Sequence, residues 1–324
     1  MAARLNPAPS EILQVVDLRT VPASDLIPLL EEEVDCWSAD LEWDFSKSAD
    51  LVRRYVDLHV LGGVALIENG AVTGYSYFVG EENKVLIGDL YVRRAVRTAE
   101  RENALLRSTL EFIGGSVAAN RIEAQFMMLA PESSRRFPSG RFGLSVFERC
   151  FMKVDLAHAS LGAGRVRKLS YLERWSDLYQ EGAAQTISEA YAGHVDSLIN
   201  DQYRSAPGAR RFIHNIVQFP GCGAFQRQAS YAAFDAANGR ICGISLTSLV
   251  ARECGHITQI CVSPYVKGAG VGHALLRESL LTLKEMGCRT ASLTVTAANR
   301  SAIELYERVG FRIVKRFPAF VWEG

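Results

Sequence analysis

One stretch of this chain is written twice, 170 residues apart, and that repeat restricts the fold more than any other feature. Leu90–Arg107 lies over Ile260–Arg277 without a gap, and Val92, Val96, Ala99, Ala104, Leu105, Leu106 and Arg107 are identical to their counterparts. In each copy an apolar, strand-like run passes through a short turn into a helical pattern. The flanks agree as well. Val64–Glu68, the turn Asn69–Gly70 and Val72–Val79 predict a hairpin, matched by Tyr231–Asp235, Asn238–Gly239 and Arg240–Val250. Arg121–Leu129 corresponds to Arg289–Ala297, each a strand after the long helix. A length of 324 residues accommodates two such α/β units.

The small residues Ala157–Gly164 mark a flexible boundary between them. This divides the chain into a first domain over 1–158, a linker over 159–165 and a second domain over 166–324. In the second domain Val166–Leu172 predicts the opening strand, and Asp177–Tyr191 and Ala209–Gln218 predict helices. His273–Met286 places Leu276, Leu280 and Leu283 on one side of a helix that Gly287 stops. Ser301–Glu304 reads as a capping box for a last helix ended by Gly310, and Arg312–Val321 as a final strand.

The two copies differ most in the turn. Between the strand and the helix, the second copy carries Lys267-Gly268-Ala269-Gly270-Val271-Gly272-His273. Glycines at this density let a ligand approach the backbone, and the free N–H groups and positive dipole end of the following helix suit a phosphate. A P-loop requires Lys-Ser/Thr to close it, and here Gly272 is followed by His273 and Ala274. A dinucleotide fingerprint requires G-x-G-x-x-G, and this loop is G-x-G-x-G.

The run resembles instead the acyl-CoA loop of the GNAT acetyltransferase superfamily, Arg/Gln-x-x-Gly-x-Gly/Ala, with Lys267 where Arg or Gln is usual. A second family motif recurs as Asn299, Ala302, Tyr306, Gly310 and Phe311. The resemblance implies an α/β (α+β) fold of two tandem GNAT domains, each a mixed, mostly antiparallel sheet flanked by helices. It implies acetyl-CoA as cofactor, held by Lys267, Gly268, Ala269, Gly270, Val271, Gly272, His273 and Asn299. The pantetheine arm would lie along the edge of the preceding strand, with the thioester carbonyl near a backbone N–H of Ile260, Cys261 or Val262.

Direct transfer to an amine calls for a group that takes a proton and a group that gives one. The resemblance points to Tyr306 as the acid toward the leaving thiolate. His256 stands where a related branch of the family carries a catalytic glutamate, and imidazole titrates near neutrality, so it is the candidate base, with a chain of water as the alternative. Cys261 lacks a neighbouring histidine and reads as a small buried residue. Among His194, Asp196, Asn200, Gln202 and Tyr203, we expect Asp196 and Tyr203 to bind the acceptor.

In the first copy Thr98, Glu100 and Glu102 replace the three glycines, Leu86 replaces His256, and Ser139 stands at the place of Tyr306. That copy is expected to be degenerate, without catalysis or CoA binding by this loop. The layout is similar to tandem family members with one degenerate half, mycothiol synthase among them. The sequence thus predicts an acetyl-CoA-dependent N-acetyltransferase acting on a small-molecule amine. Two alternatives are an acyltransferase of a mycothiol-synthase-like thiol precursor and a non-catalytic acyl-CoA sensor. Lys+Arg and Asp+Glu both total 36, giving no net basic field for nucleic acid or anionic membrane. Seven cysteines without C-x-x-C spacing predict neither a disulfide framework nor a metal site. Without an apolar leader or a span of about 18 apolar residues, a cytoplasmic protein is expected.

Overall fold

The structure, a computed structural model, describes residues 13–116, 119–129, 142–163 and 170–324. The chain forms two compact units. One holds Met1–Asp35, Ala49–Ser145 and Trp322–Gly324; the other holds Cys36–Ser48 and Val146–Val321.

In the first unit β1 (Leu13–Asp17) is followed by α1 (Ala23–Leu41), whose end passes into the other unit, and α2 (Ser46–Asp57). Then come β2 (Gly62–Glu68), β3 (Ala71–Glu81), β4 (Lys84–Val92), α3 (Ala99–Ser116) and β5 (Arg121–Gln125). The strands lie in the order β1-β2-β3-β4-β5, antiparallel except for the last pair. The Asn69–Gly70 hairpin turn forms with both residues at positive φ, 51° and 80°, as a two-residue turn between twisted strands demands. β5 is shorter than the expected Arg121–Leu129: a turn closed by Leu129 N–H donating to Phe126 O (3.3 Å) ends it. Ser139 lies outside the described residues.

The second unit contains most of β6 (Gly143–Asp155), then β7 (Ser170–Arg174), α4 (Gln180–Tyr191), α5 (Asp196–Ile199) and α6 (Ala206–Gln218). After β8 (Ala224–Phe225) follow β9 (Tyr231–Asp235), β10 (Ile241–Ala251), β11 (Cys254–Val262), α7 (Val271–Glu285), β12 (Thr290–Thr296), α8 (Arg300–Val309) and β13 (Arg312–Glu323). Its sheet runs β7-β9-β10-β11-β12-β6-β13. β6, which chain order places in the first copy of the repeat, pairs antiparallel with β12 from Arg149↔Thr296 to Asp155↔Thr290.

Alternation along β10 explains the layers of this unit. Ile244 and Leu246 pack against Ala183, Ala184 and Ile187 of α4 and Ile213 of α6. Gly243 and Ser245 face α7, where the Ser245 and Ser279 hydroxyls share a hydrogen bond of 2.8 Å. Leu276, Leu280 and Leu283 of α7 are fully buried with Leu293, Val295, Tyr306 and Phe311. Burying each such leucine contributes roughly 1.5–3 kcal/mol.

Three local expectations are corrected. The segment after Leu156 is docked, not free: Ser160 N–H donates to Val309 O and Arg277 Nε to Leu161 O, both at 2.8 Å. Small residues there permit close packing against α7 and α8 as readily as flexibility. The opening strand begins at Ser170, and residues 164–169 lie outside the described ones. The cap of α8 is Asn299, whose side chain accepts from Ala302 N–H at 3.3 Å; Ser301 falls inside the helix.

Candidate functional site

The site begins where two strands part. β11 pairs in parallel with β12 only from Cys254↔Thr290 to Ile257↔Leu293. On its other side β11 stays paired with β10 up to Val262, with a register shift that leaves Thr258 as the extra residue. The edge from Thr258 to Val262 that faces β12 is therefore outside that ladder. An unpaired edge of this kind accepts an extended ligand by strand addition.

Next to this edge the glycine loop opens α7. Gly268 and Gly270 adopt φ of 76° and 90°, so the backbone alone accounts for glycine there. Gly272 is different. It lies within the helix, and a Cβ built on it would meet only Val262 Cγ1, at an ordinary 3.7 Å. Nothing in the protein forbids a side chain at 272, so its absence preserves space for something else. No side chain caps α7, which leaves its first-turn N–H groups facing outward with the positive end of the helix dipole. These features fit the diphosphate of a CoA.

Strand edge, loop and Tyr306 line one cleft of about 850 Å³. Ile260, Cys261, Val262, Lys267, Gly268, Gly270, Gly272, His273 and Asn299 all border it. Ala269 and Val271, also expected to hold the cofactor, pack instead against the cluster around Tyr231, Cys242 and Leu275. Their side chains alternate away from the cleft, so only their backbone is available to a ligand. Burial pushes the Cys261 thiol up to about 12, which makes it a packing residue rather than a nucleophile. The His273 imidazole is held below its usual range by burial, then by Arg277 and Arg308.

Tyr306 combines two roles that sequence reading kept apart. Its ring is part of the core and lies 5.9 Å from that of Phe311. The residue also lines the cleft, and its hydroxyl has no hydrogen-bond partner among the described residues. Burial, followed by the charge of Asp196, raises its pKa, so the phenol keeps its proton at neutral pH; Arg149 acts in the opposite direction.

His256 does not reach the cleft. It is 4% exposed, its Nδ1 lies 2.9 Å from Ser292 Oγ, and its ring is 4.9 Å from Trp43 and 6.2 Å from Phe151. Burial pulls its pKa down to about 3. The expectation of a general base at His256 fails on this geometry. In a regular strand its parity would favour the cleft, but the strand edge at His256 is still paired with β12 through Ser292, and the opening starts only after Ile257.

In the same cleft, Tyr191 and Tyr203 stack with centroids 4.4 Å apart. Gln259 ties them together, its Nε2 donating to Tyr191 Oη (3.2 Å) and its Oε1 accepting from Tyr203 Oη (3.5 Å). Asp196, at the start of α5, is 8% exposed and borders the same cleft with His194 and Arg149. Arg149, Tyr191 and Gln259 were not among the residues expected to act. Tyr191 lies on a helical stretch visible in the sequence, whereas Arg149 reaches the site only through the pairing of β6 with β12, which leaves no local signal.

The first unit treats the equivalent position in the opposite way. Glu102, counterpart of Gly272, is 2% exposed and lies 3.7 Å from Arg97 Nε, while Arg101 pairs with Glu68. Tyr77 covers Gly88, where a Cβ would come within 2.2 Å of its ring, and Tyr75 Oη donates to buried Glu33 at 2.7 Å. Side chains of the unit itself fill that space.

Comparison with known proteins bears on the family and the fold. Residues 195–311 match the acetyltransferase (GNAT) family. Mycothiol acetyltransferase of Propionibacterium freudenreichii is 38% identical over 63 residues, 19% of this chain and 20% of that protein. The [ribosomal protein bS18]-alanine N-acetyltransferase of Escherichia coli is 36% identical over 74 residues, 23% of this chain and 49% of that protein. These matches thus span between a fifth and a half of those relatives' lengths. A GCN5-related N-acetyltransferase from Sphaerobacter thermophilus superposes with a TM-score of 0.68 at 17% identity, covering 96% of this chain and 95% of that one. The tandem GNAT protein of the clavulanic acid biosynthesis pathway gives 0.61 at 16%, covering 96% and 98%. The tandem GNAT fold therefore extends over nearly the whole chain, and its C-terminal region carries a GNAT acetyltransferase domain.

Proposed function

We propose that this protein is an acetyl-CoA-dependent N-acetyltransferase whose C-terminal domain acetylates the amine of a small molecule. The observation that carries this reading is the meeting, in one cleft, of a released strand edge, an uncapped helix start behind Gly272, and the unpartnered hydroxyl of Tyr306. When bound, acetyl-CoA supplies an activated acetyl group and a thiolate leaving group. The first-turn N–H groups of α7 hold its diphosphate, Lys267 adds a positive charge, and the backbone of Ile260–Val262 orients the arm. Tyr306 holds a proton at Oη for the departing sulfur. Asp196 and Tyr203 stand on the acceptor side. With His256 sealed in the core, the proton released by the amine leaves to water in the open cleft.

Relatives named for mycothiol and for a ribosomal-protein alanine both resemble part of this chain, so the likeness selects neither acceptor. The first unit, with Glu102 at the position of Gly272, does not bind CoA by its corresponding loop. Calorimetric titration with CoA, together with thiol release from acetyl-CoA across a panel of amines, tests the reading. Tight CoA binding with a silent panel would favour an acyl-CoA sensor, and no CoA binding would remove the basis of both.

A further inference from the structure

The acceptor end of the cleft contains an ion pair whose geometry leaves one carboxylate oxygen unspoken for. Arg149 Nη1 lies 3.4 Å from Asp196 Oδ1 and 3.3 Å from Thr296 Oγ1, and Nη2 lies 3.1 Å from Thr294 Oγ1. Thr296 Oγ1 also donates to Asp196 Oδ1. The side chains of Arg149 and Asp196 are 13% and 11% exposed. The terminal nitrogens of Arg149 are thus engaged by the protein itself, its buried Nε has no partner among the described residues, and Oδ1 carries two donors. Oδ2 has only the His194 ring near it, with Nδ1 at 3.5 Å, and that nitrogen already accepts from Asp196 N–H at 3.2 Å.

We propose that Asp196 Oδ2 receives the acceptor as a protonated primary amine, and that Arg149 is the positioning residue that holds this carboxylate in place through Oδ1. The proposal deepens the acetyltransferase reading and rests on it for calling this end of the cleft the acceptor side. Two observations select a cationic ligand. The free oxygen is an acceptor of hydrogen bonds, which an ammonium satisfies as a charged donor. The Tyr191–Tyr203 stack and Tyr306 add electron-rich aromatic surface around it. Arg149 supports the carboxylate without competing for Oδ2, because its contact is with Oδ1. The acceptor class is therefore an amine that is charged at neutral pH and small enough to stand between Asp196 and Tyr306.

The test uses the full-length protein saturated with CoA. It is titrated calorimetrically with n-butylamine, ethanolamine, glucosamine and glycinamide, and with n-butanol as the uncharged counterpart of the first. We expect at least one of the amines to bind and butanol to bind at least tenfold more weakly than butylamine, since hydrogen bonds to charged groups contribute about 1.5–3 kcal/mol. Asp196→Asn should weaken the amine by about tenfold or more and leave CoA affinity unchanged. Arg149→Met should weaken the amine by about threefold or more with CoA affinity held, because Oδ1 then loses one of its two donors and the carboxylate is free to turn. Arg149→Lys should restore most of that loss. A merely structural arginine would lower the melting temperature without changing the amine affinity relative to that of CoA.

Equal binding of butylamine and butanol, or no amine binding at all, overturns the proposal and needs no variant that folds. Unchanged amine affinity in Asp196→Asn, or in a folded Arg149→Met, overturns it as well. Amine binding that depends on Asp196 but is never followed by thiol release from acetyl-CoA would leave this inference standing and refute the transfer reading instead.

Discussion

Replacing Gly272 by glutamate should separate folding from cofactor binding, because the structure assigns the two effects opposite signs. The backbone at 272 is helical, and the nearest atom to an added Cβ is Val262 Cγ1 at 3.7 Å, so the fold accepts the side chain without strain. A carboxylate in the first turn of α7 interacts favourably with the helix dipole by roughly 0.3–1 kcal/mol. The melting temperature should therefore hold or rise. CoA meets the reverse. A carboxylate about 5 Å from a phosphate opposes it by roughly 3 kcal/mol at an effective dielectric near 20, which is about two decades in Kd. The first unit carries the same substitution naturally, with Glu102 buried at the corresponding position and Arg97 as its counter-charge. Gly272→Gln removes the charge and keeps the bulk, so the difference between the two variants measures repulsion. Gly270→Glu should also abolish binding, but φ of 90° adds a strain of roughly 1–2 kcal/mol and makes it the less clean test. Calorimetric titration with CoA, paired with thermal melts, reads both quantities. A folded Gly272→Glu protein whose Kd stays within about threefold of the parent would refute the loop assignment.

Other outcomes follow from the same geometry. Tyr306→Phe should slow turnover by about a hundredfold or more, in the range of lost general-acid catalysis, with CoA affinity held; equal rates would reduce Tyr306 to a packing residue. His256 is neutral in the fold with a pKa of about 3, whereas an unfolded histidine titrates near 6.5. Its contribution is present above pH 6.5 and is lost as pH falls toward 3, by about 2–3 kcal/mol at pH 4.5. His256→Phe should flatten that part of the stability profile and leave the neutral-pH rate profile untouched, whereas loss of an ionisation near pH 7 would restore His256 as a base. The CoA stoichiometry should be one per chain, and a second site surviving Gly272→Glu would show that the first unit binds after all.

How much of the site could be read from sequence depended on how local each cause was. The glycines, the Tyr306 motif and the hairpins are set by neighbours within a few residues, and each lies where the pattern puts it. Helix and strand ends were less legible, because capping is decided by competition between adjacent groups: Asn299 displaced Ser301 as the cap of α8. β5 stopped at Gln125 because a turn intervened, although the apolar pattern continued.

The sequence by itself determined the repeat, the strand-loop-helix of each copy, and the contrast between glycines in one copy and glutamates in the other. Those features follow from side-chain periodicity and from the backbone freedom of single residues. Only the tertiary structure decided which side chains share the cleft. His256 went to the core because β11 still pairs with β12 at that point, and Arg149 entered the site because β6 aligns it opposite Thr296. Strand register between distant segments is fixed by the burial of whole faces, and no short window of sequence contains that information.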